Sequence, residues 1–387
     1  MTYVNFTFLR IKNLLVLLLM TLSAQALAQL VELNTALNET VVQVPKPGLF
    51  TVELETTIYK PDGAGPFPIA LINHGKEIGD PRFQPRYRPA QAARYFLQRG
   101  YAVVVPMRQG FAKSGGSYIG GGCNIESNGR VQASDLKTVL DYVTQQTWAD
   151  KERIVVLGQS HGGWTTLAFG AQNYPGVKAL VNFAGGLRQS DCAGWQAGLA
   201  RSIAAYAKET FTPSLWFYGD NDSFFQPTTF QPMFDSYTTA GGKAKLIAFG
   251  TFGSDAHAMF GSAAGAPIWQ PEVSKFLTSV GLPSEPAAAF SKFGTGVAMP
   301  RPPKTDFAEL GDTSRLPHVN DSGREGYKTY LTKSMPRAFA IAPSGRWAWA
   351  DGGDDPLQRA LDNCKRNLKT DCKLYSVDDA VVWKPEP

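Results

Sequence analysis

The chain has 387 residues, 43% of them hydrophobic and 18% charged, with a formal net charge of +5 at pH 7. That composition excludes wholesale disorder, and the length allows a large core without metal or covalent support. The basic residues do not cluster on one segment, so a nucleic-acid-binding face is not expected.

The first 28 residues read as a leader. Arg10 and Lys12 form a positive start, Leu14 to Leu22 a short apolar run, and Ala26-Leu27-Ala28 a small-residue cleavage site. Cleavage after Ala28 is expected to yield a periplasmic or secreted protein. The apolar run is short for a bilayer span, so stable membrane insertion is not expected. Residues 29–280 read as one domain, and from 51 to 280 strand-like and helix-like segments alternate. Extended runs fall at 51–59, 68–73, 101–107, 153–157, 177–183, 214–218 and 245–249. Ala102-Val103-Val104-Val105 and Ile154-Val155-Val156-Leu157 are nearly unbroken apolar β-formers, as strands covered on both faces are. Helical patterns lie between them, clearest at Val131, Leu136, Val139, Leu140 and Val143, then at 164–174, 196–208 and 271–280. This rhythm predicts an α/β domain, doubly wound around a mostly parallel sheet. Residues 281–320 are Pro-rich and read as a surface connector. Residues 321–387 read as a small α+β C-terminal module. Its elements are a helix opened by a Ser322-x-x-Glu325 capping box, strands near 338–342 and 346–350, a helix at 356–365 and a strand at 373–383. Trp347 and Trp349, at period two, read as one face of a half-buried strand.

Four cysteines, Cys123, Cys192, Cys364 and Cys372, lie beyond the leader. An even number in an oxidising compartment implies two disulfides. Cys364 and Cys372 are near neighbours, which leaves Cys123 for Cys192. The spacings do not suit a metal site, and no metal or organic cofactor is expected.

The strongest chemical signal is Gly158-Gln159-Ser160-His161-Gly162, a G-x-S-x-G pentapeptide directly after an apolar strand and before a helix. That setting presents Ser160 as a nucleophile on a sharp turn. Four histidines are available as its base: His74, His161, His257 and His318. His161 adjoins the nucleophile and points the wrong way, His74 ends an early strand, and His318 lies in the Pro-rich segment. His257 follows the last strand of the sheet and remains as the general base. The acid that orients it is expected after the strand ending at Tyr218, where Asp220 and Asp222 both stand, and Asp222 is preferred. Ser160, Asp222 and His257 then follow the Ser–acid–His chain order. The oxyanion donors are expected to be the backbone N–H groups of His161 and Lys76.

Together, Asn73-His74-Gly75, Pro106-Met107-Arg108-Gln109-Gly110 with Ser114-Gly115-Gly116, the Ser160 pentapeptide, Gly219-Asp220-Asn221-Asp222 and His257 resemble the α/β-hydrolase superfamily over about residues 45–280. Within it the chain is similar to serine hydrolases related to dienelactone hydrolase, although dienelactone hydrolases proper use a Cys nucleophile where this chain has Ser160. The resemblance implies the α/β-hydrolase fold and a small-molecule ester substrate, with Arg108 bracing loops. A serine peptidase or amidase using the same triad is the alternative. A cell-envelope binding protein acting through its C-terminal module is a further one. Trp164, Trp195, Phe224 and Phe225 are candidate pocket aromatics, and the loop 111–128 is a candidate wall tied to Cys192.

Overall fold

The computed structural model describes residues 33–294, 299, 301–333, 335–351 and 355–385. The leader lies outside the described residues. Among those described, no helix is long and apolar enough to cross a membrane.

Among the described residues, twelve strands form two sheets. The large sheet contains β1 Glu39–Lys46, β2 Val52–Tyr59, β3 Phe67–Asn73, β4 Ala102–Pro106, β5 Ala149–Gln159, β6 Val177–Phe183, β7 Ser214–Tyr218 and β8 Ala244–Ala248. Its order is β1-β2-β4-β3-β5-β6-β7-β8. β1 and β2 join antiparallel, as do β2 and β4, and every pair from β4 to β8 is parallel. The helices are α1 Ala90–Leu97, α2 Ile125–Val143, α3 His161–Gly170, α4 Trp195–Glu209, α5 Pro227–Thr239 and α6 Ala266–Ser279. This is the α/β-hydrolase fold.

The apolar strand runs follow from helices on both faces. Along β5, Ile154 and Val156 enter the core shared with α2, α3 and α4, while Val155 and Leu157 enter the core shared with α1 and α6. β3 and β4 alternate in the same way, as period-two side chains must. The edge strand β1 goes beyond the sequence reading. It shows only partial burial along its length and pairs with β2 over eight residues. Strand β5 also begins four residues earlier than expected, at Ala149.

The Pro-rich segment is not all loosely laid surface chain. The Tyr101 hydroxyl donates to the Pro283 carbonyl at 2.7 Å, the Ala287 amide donates to the Gln98 carbonyl at 2.9 Å, and Phe293 is buried against the body of the domain. The C-terminal module follows: α7 Asp321–Leu331, β9 Arg337–Ile341, β10 Trp347–Asp351, α8 Pro356–Asn363, β11 Lys373–Val377 and β12 Ala380–Val381, with sheet order β10-β9-β11-β12. Two local expectations are corrected. Helix α7 is capped by Asn320, whose side chain accepts from the Gly323 amide, because the helix starts one residue before Ser322. The single strand expected over 373–383 is a hairpin, turned at Asp378 with φ 53°. Trp347 stacks on Phe339 and is half-buried, as its strand register implies.

Both disulfides are present, Cys123–Cys192 closing a separation of 69 residues and Cys364–Cys372 one of 8.

Candidate active site

Strand β5 delivers Ser160 to the turn before α3. Ser160 has φ 57° and ψ −126°, a left-handed backbone that a side-chain-bearing residue adopts only where its surroundings hold it. The turn is tight on both sides. A Cβ on Gly158 would overlap the Gly162 carbonyl, and one on Gly162 would overlap the carbonyl oxygens of Asn73 and His74. Three bonds hold the serine itself: its amide donates to the Phe183 carbonyl at 2.9 Å, and its carbonyl accepts from the Trp164 amide at 3.0 Å and from the Gly186 amide at 3.2 Å.

The structure brings Asp222, not Asp220, to His257. The imidazole Nδ1 lies 2.9 Å from Asp222 Oδ2 and 3.1 Å from Oδ1. Oδ1 also accepts from the Phe224 and Phe225 amides, both at 2.8 Å. Asp222 is fully buried and the His257 side chain is 14% exposed. Burial alone would push the Asp222 carboxyl up. The His257 hydrogen bond and charge and the two amides outweigh it, and the carboxyl titrates below its ordinary range. Asp220 is exposed, and its amide donates to Gly250.

Asp222 engages Nδ1, so Nε2 is the ring nitrogen left to meet another group. Among the described residues no hydrogen bond joins the Ser160 hydroxyl to His257. Gln159 links the two segments instead, its Nε2 donating to the His257 carbonyl at 2.6 Å. Asp255 braces the same loop: its carboxylate accepts from the His257 amide at 2.9 Å and from the Ser223 amide and hydroxyl. Phe224 packs on the imidazole at 4.6 Å between ring centroids.

His74 and His161 do not sit as bases. Both are buried, and burial followed by the Arg108 charge drives each well below the ordinary histidine range. Arg108 is fully buried among them. It donates from Nη1 to the His74 carbonyl at 2.8 Å, from Nη2 to His161 Nδ1 at 3.2 Å and from Nε to Gln132 at 3.1 Å. His161 Nδ1 is thus an acceptor, so its Nε2 carries the proton and donates to Asn128 Oδ1 at 2.8 Å. Asn128 in turn donates to Tyr118 and to the carbonyls of Ile119 and Gly120. One polar network therefore ties the end of β3, the Ser160 turn, α2 and the loop 117–122. Burial lowers the Arg108 guanidinium to about 10, which still leaves it cationic at neutral pH.

His161 opens α3, where a first-turn amide has no partner within the helix. The Gly75 backbone passes beside Ser160, since a Cβ on Gly75 would lie 3.4 Å from Ser160 Cβ and 3.9 Å from Oγ. The Gly75 carbonyl accepts from His74 Nδ1 at 2.6 Å and from Gln84 at 3.3 Å. A trans peptide sends the Lys76 amide the opposite way.

Of the candidate aromatics, Trp164 and Phe225 are buried in the core and Phe224 faces His257. The sequence reading missed Gln159, Asp255 and Asn128 as supports. Only Asp255 carries a local sign, an Asp immediately before the short helical turn Ala256–Ala258 that it caps. Among the described residues, no group of three or more His, Cys, Asp or Glu is arranged to hold a metal ion.

A family model described as X-Pro dipeptidyl-peptidase (S15 family) matches residues 48–228. Similar solved structures include a puromycin-hydrolyzing peptidase of Mycobacterium tuberculosis at 18% identity and TM-score 0.47, covering 66% of this chain and 41% of that one. A Klebsiella pneumoniae subsp. pneumoniae protein assigned as a dienelactone hydrolase is similar at 19% identity and TM-score 0.44, covering 62% and 97%. A Pyrococcus furiosus esterase is similar at 15% identity and TM-score 0.45, covering 63% and 92%.

Proposed function

We propose that this chain is an exported serine hydrolase that cleaves acyl bonds through an acyl-enzyme on Ser160, with peptides or other amides as its substrates. The observation that carries the chemistry is the buried Asp222 carboxylate on His257 Nδ1, in a loop joined by Gln159 to the turn that presents Ser160. The match of residues 48–228 to the S15 peptidase model supports amide over ester cleavage. Export rests on the leader-like first 28 residues.

In this reading Ser160 Oγ attacks the carbonyl carbon while His257 Nε2 takes its proton. Asp222 stays ionised and stabilises the imidazolium. The His161 and Lys76 amides receive the tetrahedral oxyanion, with the Arg108 cation holding the two segments that carry them. His257 then protonates the leaving amine, and water releases the acyl group by the reverse sequence. Cleavage of carboxylic esters is the second reading. It rests on the motif set similar to dienelactone-hydrolase relatives, and it uses the same acyl-enzyme.

The deciding experiment compares an X-Pro dipeptide p-nitroanilide with a p-nitrophenyl ester, using the full chain and Ser160→Ala. Amide turnover lost by at least ~10³-fold in the variant supports the peptidase reading. Ester turnover alone moves the assignment to an esterase. Turnover of neither, with no covalent labelling of Ser160 by a fluorophosphonate, refutes the hydrolase and leaves the C-terminal module as a binding domain.

A further inference from the structure

An exposed cation, Arg188, stands beside the His257 imidazole. Its guanidinium carbon lies 5.9 Å from the centre of the Phe224 ring, and Phe224 packs on His257 at 4.6 Å between centroids. Among the described residues no carboxylate pairs with Arg188, which is exposed. Two carboxylates of the neighbouring loops are already taken up. Asp222 holds His257 and the Phe224 and Phe225 amides, and Asp255 holds Ser223 and the His257 amide. Contact with an aromatic face leaves the guanidinium N–H donors open for an acceptor.

The loop that carries Arg188 is fixed on both sides of it. Before it, the Ala184 amide donates to the Phe217 carbonyl at 2.8 Å and the Gly186 amide to the Ser160 carbonyl at 3.2 Å. Gly186 lies so close to Phe225 that a Cβ on it would stand 2.3 Å from the ring, and Leu187 is buried. After it, Gln189 Nε2 donates to the Gly122 carbonyl at 2.8 Å, the Gln189 carbonyl accepts from the Cys192 amide at 2.9 Å, and Cys192 is bonded to Cys123. Arg188 therefore projects from a braced backbone, two residues from a bond to Ser160. A cation held in this way can take an anion without first ordering its loop.

His257 sets which part of a substrate meets it. The acyl group stays on Ser160, while the imidazole protonates the leaving group, so the leaving group lies on the side of His257, Phe224 and Arg188. We propose that Arg188 is a specificity-determining residue that binds a carboxylate on the leaving group. This rests on the hydrolase reading above and narrows it: the preferred substrates are acylated amino acids and short peptides whose free C-terminal carboxylate is close to the bond that breaks. The chemical step is unchanged. The carbonyl carbon bonds to Ser160 Oγ, its bond to the leaving nitrogen breaks, and that nitrogen takes the proton from His257 Nε2. An amino acid departs with its carboxylate on Arg188.

The test is kcat/KM of the full chain for 3-acetoxybenzoate against 3-acetoxybenzamide, each divided by its rate with hydroxide. The pair shares its acyl group and differs in the charge of the leaving group. The native chain should prefer the carboxylate by about 10-fold. Arg188→Met should bring the ratio to within about twofold of unity by slowing the carboxylate substrate alone. Arg188→Lys should keep a preference of about 3-fold, since it retains the charge and loses the planar fork. Arg201→Met removes an equal charge from an exposed position on α4 and should leave the ratio unchanged. Mono-p-nitrophenyl adipate and its methyl ester carry the difference on the acyl side and should react within about twofold of each other. Thermal unfolding verifies that each variant is folded. A native ratio near unity, an equal loss in Arg201→Met, or a preference confined to the acyl-side pair overturns the proposal while turnover upholds the hydrolase. Turnover of none of these esters also overturns it, and fluorophosphonate labelling of Ser160 then decides whether the hydrolase falls with it.

Discussion

Replacing Asp222 by Asn tests the site at its most constrained atom. Oδ1 accepts two backbone amides at 2.8 Å, so an Asn must keep its carbonyl oxygen there. Its NH2 group then stands at the Oδ2 position, 2.9 Å from His257 Nδ1. A donor facing Nδ1 forces the ring proton onto Nε2, and the imidazole presents N–H to Ser160 instead of a lone pair. Loss of the base in this way costs about 10⁴ in kcat, or about 5 kcal/mol of transition-state stabilisation. The fold suffers less, because both amides stay paired. Asp222→Ala strips the acceptor from the buried Phe225 amide and the part-buried Phe224 amide, and should lower stability by about 1–3 kcal/mol for the first and less for the second. The assay is kcat/KM on the best substrate, alongside thermal unfolding, for Asp222→Asn, Asp222→Ala and Asp220→Asn. Retention of activity within about 10-fold by Asp222→Asn, or an equal loss in Asp220→Asn, would refute the assignment.

The same carboxylate predicts an acid limb. Its folded pKa is depressed, so its contribution to stability is complete above the unfolded value near ~3.9 and is lost as pH falls through the lower folded value. Unfolding followed between pH 2 and 6 should show a shallower acid decline in Asp222→Asn than in the native chain, and equal slopes would count against it. Ser160→Gly should unfold about 1 kcal/mol later than Ser160→Ala, because glycine accepts φ 57° without strain, while both are inactive. Gly162→Ala should fail to give a native-like melt, since its Cβ meets two backbone carbonyls that cannot yield; a soluble, active Gly162→Ala would show that the turn is looser than described. Paired Cys→Ser replacement should cost more at Cys123–Cys192 than at Cys364–Cys372, about 4 against about 2.5 kcal/mol on the chain-entropy account, because the first closes 69 residues and the second 8. Denaturant unfolding that ranks them in the reverse order would contradict it.

Much of this protein is legible along the chain. The apolar runs at Ala102–Val105 and Ile154–Leu157 need only local side-chain chemistry to read as doubly covered strands, and they do cover both cores. The Ser160 turn is equally local, since its glycines are dictated by neighbours a few residues away. The partners of Ser160 could be ordered along the chain, but the choice between Asp222 and Asp220 turned on which side chain the loop turns inward. Tertiary packing decided that, through amides at Phe224 and Phe225 and a ring 35 residues on. Arg108 shows the limit more sharply. The family resemblance implied a brace there, yet its partners are a carbonyl 34 residues back, Gln132 and an imidazole 53 residues on. The placing of Pro336 in the C-terminal module against Gly261 is likewise absent from any stretch of sequence. Hydrophobic period and turn chemistry are properties of adjacent residues, so the chain alone determined the layers and the Ser160 turn. Which buried polar groups meet depends on crossovers that bring distant loops to one edge of the sheet, and only the folded structure decided that.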